Sequence, residues 1–420
     1  MSKLRWFYEF MMNATIAHAR WEKEMSDNIF RNRKRLLILL VLLLPILVAS
    51  LLGAAGDFLG GKTAYGPVHY TPLVFWVSTA IGLAAGLITG CIGAGGGFII
   101  APALMSAGVK GIMAVGTDQF HIFAKAIMGT AIHKKLGNVS VILAVFFVIG
   151  TVVGATTGGY INRWVYSKDP VLSDAFISIV YATILGFLGF YAMYDFFSTR
   201  RKAKAGTVST SHGAHGGVIA TTRLALRLQQ VHIPPILRFD EDFGGRQISG
   251  WFIIAGGFFV GLLAAIMGVG GGFVTFPMFV YIFGVSTPTT VGTDIFQIIF
   301  TAGYSSITQY AIYGFVFYTL AMGLLIGSLI GIQVGALTTK VVPGITLRGF
   351  YALTIIAAFF NRVSVLPDKF TKLELITFSK GFCQAMIFIG NILFWGAIGL
   401  FGIWILLSFF RNIKALREEV

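Results

Sequence analysis

Three side chains able to move a proton or hold an anion fall on one face of a single predicted helix. They are Asp118, His121 and Lys125, spaced i, i+3, i+7. They interrupt an otherwise apolar run, 112–132, where each ionisable group costs roughly 2.5–3.5 kcal/mol on membrane-insertion scales. Such groups mark a pathway or neutralise one another. The matching positions in the second half of the chain are Asp294, Gln297 and Thr301. Asp118, Asp294 and His121, with Gln297 in the histidine's place, are therefore candidates for proton or cation coupling, the imidazole titrating nearest neutral pH. Lys125 has no charged counterpart and could balance a substrate anion or pair with Asp118. The competing account is structural: Thr117-Asp118 and Thr293-Asp294 as helix N-caps, and His121 as a satisfied internal histidine.

The second constellation is made of backbone. Gly86–Phe98 and Gly261–Phe273 align at an offset of 175 residues, with seven of thirteen positions identical and a proline beyond each, Pro102 and Pro277. Glycine at membrane depth frees N–H and C=O groups, tolerable only where protein or a water-filled cavity satisfies them. Paired interruptions in corresponding halves point to a transporter's substrate site. Half-helix N-termini offer N–H groups and a positive dipole end to an oxyanion. The substrate-binding candidates are thus Gly95, Gly96, Gly97 and Phe98, Gly270, Gly271, Gly272 and Phe273, with Thr117, Thr293 and Lys125. A tight turn or close helix packing is the alternative for the glycines.

The surrounding elements must be membrane helices. The 420 residues are 56% hydrophobic and 12% charged, with a mean hydropathy of +0.81, and many runs approach the roughly 20 residues that span a bilayer. The repeat continues with Gly116-Thr117-Asp118 against Gly292-Thr293-Asp294. It extends to Gly150, Gly154 and Gly158 against Gly327, Gly331 and Gly335, whose spacing of four predicts a smooth face for tight helix packing. The fold class is therefore all-α polytopic membrane protein. It is built as two inverted-topology repeats, each a Gly-hinged hairpin plus three spanning helices, with one extra helix at each end.

The expected organisation is a cytoplasmic segment at 1–35 and a first span with its outer loop at 36–70. Repeat 1 follows at 71–197, a cytoplasmic basic loop at 198–249 and repeat 2 at 250–366. A loop, the last span and a cytoplasmic tail occupy 367–420. This assignment places 23 Lys and Arg residues inside and 8 outside, as positive-inside orientation requires, with 361–380 as an outer loop carrying Arg362, Lys369, Lys372 and Lys380. Both termini are predicted cytoplasmic, in a cell (inner) membrane. The net charge of +15 gathers beside the spans, which argues for a lipid bilayer and against nucleic acid. Thr207–Gly217 reads as a flexible linker, and His212 and His215 are too few for a metal site. Cys91 and Cys383, both in apolar runs, read as buried thiols. No cofactor or metal is implied, and a homodimer is left open.

The duplicated Gly-x-Gly-Gly-Gly-Phe with its following proline, together with Val115–Thr117 and Val291–Thr293, resembles the sulfite exporter TauE/SafE family of TSUP permeases over about 75–360. The resemblance implies a polytopic permease for small sulfur-containing anions such as sulfite, sulfonates, thiosulfate or sulfate. The family pattern often has serine where this chain has Asp118 and Asp294. The leading expectation is a secondary transporter working by alternating access around the paired glycine hinges, coupled to a proton or cation. A passive anion channel of the same architecture is the alternative. An intramembrane enzyme is disfavoured because no nucleophile–base set recurs in both halves. No nucleotide-binding motif is present, so direct ATP drive is not expected.

Overall fold

Proline and glycine placement sorts the helices. Among the described residues the helices long enough to span carry no proline in their interior, whereas the two short ones each hold one inside. The computed structural model describes residues 72–92, 96–135, 139–204, 223–240, 245–338, 341–342 and 344–412, all within the unit Ala64–Val420. Segment 1–35, the span 36–56, the Thr207–Gly217 linker with its two histidines, Gly95 and the tail beyond 412 lie outside the described residues.

The first repeat comprises α1 (Pro72–Ile92), the short α2 (Gly97–Ser106), α3 (Gly111–Lys135), α4 (Val141–Lys168) and α5 (Pro170–Lys204). A short helix α6 (Arg223–Gln229) and a hairpin of β1 (Ile236–Phe239) and β2 (Arg246–Ser249) follow. The second repeat comprises α7 (Gly250–Met267), the short α8 (Gly272–Pro277) widening into a π turn at Met278–Phe283, and α9 (Thr287–Tyr304), extended by a π turn to Tyr310. Then come α10 (Tyr318–Thr338), α11 (Gly344–Ser364), α12 (Leu366–Lys372) and the final α13 (Lys380–Arg411).

Among the described residues seven helices are long and apolar enough to cross a membrane: α1, α4, α5, α7, α10, α11 running into α12, and α13. Their outward faces carry large apolar side chains with no protein cover, among them Val145, Ile149 and Val153 on α4 and Phe388, Ile392 and Ile403 on α13. Lipid is the medium in which such surface is stable. The chain is a multi-pass membrane protein.

Helices pair across the repeats rather than within them. The most extensive packing joins α1 to α10 and α4 to α7, so each repeat's first helix lies against the other's glycine-striped one. Equivalent elements also meet, α3 with α9 and α5 with α11. At the seams Gly150, Gly154 and Gly158 face the Ile254, Phe258 and Leu262 carbonyls, and Gly327, Gly331 and Gly335 face those of Thr79, Leu83 and Leu87, with no room for a Cβ. The six glycines thus do what their spacing predicts.

Two expected loops are folded. The 198–249 stretch includes the end of α5, α6 and the hairpin, in register Ile236↔Ser249 to Phe239↔Arg246. Leu237, Phe239 and Ile248 pack on Leu143, Phe147 and Phe279, and Asp240 holds Ser286 at the start of α9 through Ser286 N (2.7 Å) and Oγ (2.7 Å). The expected outer loop 361–380 is helical through Lys372 apart from Val365, because its charges are neutralised in place. Lys369 pairs with Asp174 at 3.0 Å and Lys372 with Asp368 at 2.7 Å, while Arg362 is buried inside α11.

Candidate functional site

The start of α2 meets the second glycine junction. α7 ends on Gly268 (φ +79°), and Gly270 (φ +64°) and Gly271 (φ +90°) continue in the left-handed region, where any other residue costs roughly 1–2 kcal/mol. Gly97, the first residue of α2, lies directly on the second junction: a Cβ there would stand 2.6 Å from the Val269 Cα. Gly268 touches α3 as closely, at 2.7 Å from the Val115 Cα. Both short helices begin alike, with Gly96 O accepting from Ile99 N (3.0 Å) and Gly271 O from Val274 N (2.8 Å). Phe98 is buried and packs edge-on against Tyr351 at 5.7 Å, which anchors α2 to α11. The surroundings of the Phe273 side chain fall outside the described residues.

The last four carbonyls of a helix lack partners within it. At the end of α7 all four are taken by side chains from four other elements. Gln119 donates to Ala264 O (2.6 Å), Asn162 to Ala265 O (3.3 Å) and Ile266 O (3.1 Å), and the Tyr310 and Tyr181 hydroxyls to Ala265 O and Met267 O. This cage holds the second junction in one geometry with neutral dipoles. Sequence reading missed Gln119, Asn162, Tyr181 and Tyr310. Their only signal was polarity inside apolar runs, which does not say which carbonyls await them.

The threonines and carboxylates of the repeated Gly-Thr-Asp are all buried. They sit one to two turns inside α3 and α9, so they do not cap their own helices. Instead each threonine caps the helix of the other repeat. Thr117 Oγ1 accepts from Phe317 N (2.9 Å) at the start of α10, and Thr293 Oγ1 from Ser140 N (3.0 Å) at the start of α4. The carboxylates begin parallel chains of hydrogen bonds. Asp118 Oδ1 lies 3.3 Å from His121 Nδ1, and His121 Nε2 reaches Ser328 Oγ on α10 at 2.8 Å. Asp294 Oδ1 accepts from Gln297 (2.9 Å), Gln297 Oε1 from Thr301 (2.7 Å), and Thr301 meets Thr151 on α4 at 2.7 Å. Ser328 and Thr151 are equivalent positions of the repeat, each next to the first glycine of its stripe.

The two chains differ in what they leave open. Asp118 Oδ2 is buried with no hydrogen-bond partner, whereas Asp294 Oδ2 stands beside Gly272, 3.1 Å from where its Cβ would be. Lys125 is half-buried on α3 and, among the described residues, makes no hydrogen bond or ion pair, although it acts electrostatically on both Asp118 and His121. Among the described residues no group of three His, Cys, Asp or Glu side chains could hold a metal ion. Cys91 and Cys383 are free and buried, the former donating to Gly335 O at 3.1 Å.

Apolar helices that pair reciprocally, with ionisable groups buried among them, make this a multi-pass membrane protein. The family model for "Sulfite exporter TauE/SafE" matches residues 78–361, and the chain belongs to that family. It is also similar to the "Probable membrane transporter protein YunE" of Bacillus subtilis (strain 168), 26% identical over 275 residues that cover 62% of this chain and 87% of that one. No solved structure matches the chain.

Proposed function

We propose that the chain is a secondary transporter for a small sulfur-containing anion such as sulfite, a sulfonate or sulfate, working by ion-coupled alternating access. The observation that carries this reading is the juxtaposition on α3 of a half-buried cation, Lys125, which makes no ion pair among the described residues, with a buried carboxylate whose Oδ2 has no hydrogen-bond partner there. A lone ammonium inside a membrane helix is costly unless an anion neutralises it. A buried carboxyl oxygen without a donor is equally costly until a proton or cation satisfies it. Loading the anion and the coupling ion together removes both penalties, which is the thermodynamic basis of co-transport. Family membership supports the anion class.

The two repeats are inverted with respect to each other in this reading, and one rocks on the other along the glycine seams. Asp118 with His121 accepts the coupling ion, while Asp294, already held by Gln297, is the secondary acceptor. Gly96, Gly97, Gly271 and Gly272 let the anion approach the short helices. Thr117 and Thr293 transmit the state of one repeat to the other.

The test is uptake of radiolabelled sulfite, sulfate and taurine by reconstituted liposomes, with and without an inward proton gradient. Saturable, gradient-driven uptake of one anion supports the reading. Saturable flux indifferent to the gradient and to Asp118→Asn removes the coupling, non-saturating flux indicates a channel, and no flux of any of the three sinks the substrate class.

A further inference from the structure

One buried cation plays no part in the site above. Arg362 is 1% exposed, near the end of α11, and among the described residues it forms no ion pair. Its hydrogen bonds all go to neutral oxygens: Nε to Asn361 Oδ1 (3.0 Å), and Nη2 to Pro102 O (3.3 Å) and again to Asn361 Oδ1. A guanidinium has five N–H donors. Three are used here, and among the described residues the two on Nη1 make no hydrogen bond. The carboxylate that acts on Arg362 electrostatically, Asp174, is already occupied by Lys369 (3.0 Å) and by Gly111 N (2.7 Å).

The guanidinium is also held firmly. Asn361 donates to Asn391 Oδ1 on α13 at 2.8 Å, which fixes the amide oxygen that clamps Arg362. Pro102 belongs to α2, the short helix that starts at the glycine junction. Tyr181, a second electrostatic neighbour of Arg362, rests its hydroxyl on the Met267 carbonyl at the end of α7 and on the Gly97 carbonyl at the start of α2. Arg362 is thus a fixed positive charge beside α2 with no ion pair among the described residues, Asp174 acting on it only from a distance, and with two donors on one nitrogen that make no hydrogen bond there. A guanidinium in this state matches an oxyanion better than an ammonium would, because its planar donors have fixed directions.

We infer that Arg362 is a second binding station for the transported oxyanion, contacting it through Nη1 near the α2 end of the path, while Lys125 serves the other. The inference rests on the functional reading above and extends it to a residue that the sequence placed in an outer loop. A purely structural Arg362, tying α11 to α2, would account for its Nε and Nη2 bonds but leaves the Nη1 donors and the choice of a buried charge unexplained.

The deciding variant is Asn361→Asp, which sets a carboxylate where the amide oxygen now clamps the guanidinium; Asn391 can turn its amide to donate to it. An internal counter-ion competes with the anion yet strengthens the structural tie. Reconstituted full-length wild type, Asn361→Asp and Arg362→Lys are compared for uptake of the anion that wild type carries, with thermal unfolding measured beside each. The expected result is a KM raised about ten- to a hundredfold in Asn361→Asp, the range a hydrogen bond to a charged group contributes, with an unfolding temperature at or above that of wild type. Arg362→Lys, which keeps the charge and loses the fork, falls between the two. Unchanged KM in a stable Asn361→Asp overturns the inference and leaves the functional reading intact. A wild type that carries none of the anions overturns both.

Discussion

The seam between α1 and α10 allows a signed prediction. Gly86 lies against Ser328: an added Cβ would stand 2.5 Å from its carbonyl oxygen and 2.7 Å from its Cα. On the equivalent seam Gly261 would place a Cβ 2.6 Å from the Thr151 Cα. Ordinary contact begins at 3.4 Å, and the Gly261 Cβ would stand only 2.3 Å from the Thr151 carbonyl oxygen, so the two pairs of helices must part by roughly 0.9–1.1 Å. The obstructing atoms are backbone and cannot rotate away. Forced overpacking of this kind costs about 1–3 kcal/mol. Alanine also gains about 1 kcal/mol over glycine in any helix interior, which blurs the single-variant measurement. Gly399→Ala on α13 supplies the reference, since nothing lies within 4 Å of its Cβ and it keeps only the propensity gain. The difference between Gly86→Ala or Gly261→Ala and Gly399→Ala therefore isolates the packing cost. Chemical unfolding in detergent, followed by tryptophan fluorescence, should show both seam variants less stable than the reference by about 1–3 kcal/mol. Seam variants as stable as Gly399→Ala would refute the close-packed seam.

Other variants probe the site. Thr293→Val removes the acceptor for Ser140 N and should destabilise the protein by about 1 kcal/mol, as loss of a helix cap does, with the KM for the anion unchanged; a raised KM at unaltered stability would make Thr293 a substrate ligand instead. Asp118→Asn should abolish accumulation driven by a proton gradient while leaving exchange of labelled for unlabelled anion, measured in the same vesicles. Lys125→Gln should raise the KM about ten- to a hundredfold, the loss of one charge-assisted hydrogen bond, and Lys125→Arg should restore part of it; uptake curves superimposable on wild type would remove Lys125 from the path. Gly270→Ala, at φ +64° and with Ile122 Cγ2 at 2.6 Å from its Cβ, should cost about 1–2 kcal/mol from backbone strain alone, read as a lower unfolding midpoint.

Much of this protein is written in local patterns. Hydropathy marks the spans because every backbone polar group in lipid must be satisfied within its own helix, so length and apolarity suffice to find one. The Gly-x-Gly-Gly-Gly-Phe of the second half marks its break, since the left-handed backbone at Gly268, Gly270 and Gly271 excludes other residues. The stripes at Gly150–Gly158 and Gly327–Gly335 marked their own faces through helical periodicity. The internal alignment paired Asp118 with Asp294 and His121 with Gln297 without any structure.

What the tertiary structure decided is which repeat answers which. Thr117 finds the amide of Phe317 and His121 finds Ser328, each some two hundred residues away, and nothing in either local sequence names the partner. The same holds for Gln119, Asn162, Tyr181 and Tyr310 converging on the end of α7. Their polarity is legible, but the carbonyls they satisfy exist only once α7 has ended at Gly268. Arg362 is the clearest case. Counted as a charge it belonged in an outer loop, and only the packing of α11 against α2 and α13 reveals it as buried. A charge in a sequence carries no information about its solvent; burial is a property of the assembled helices.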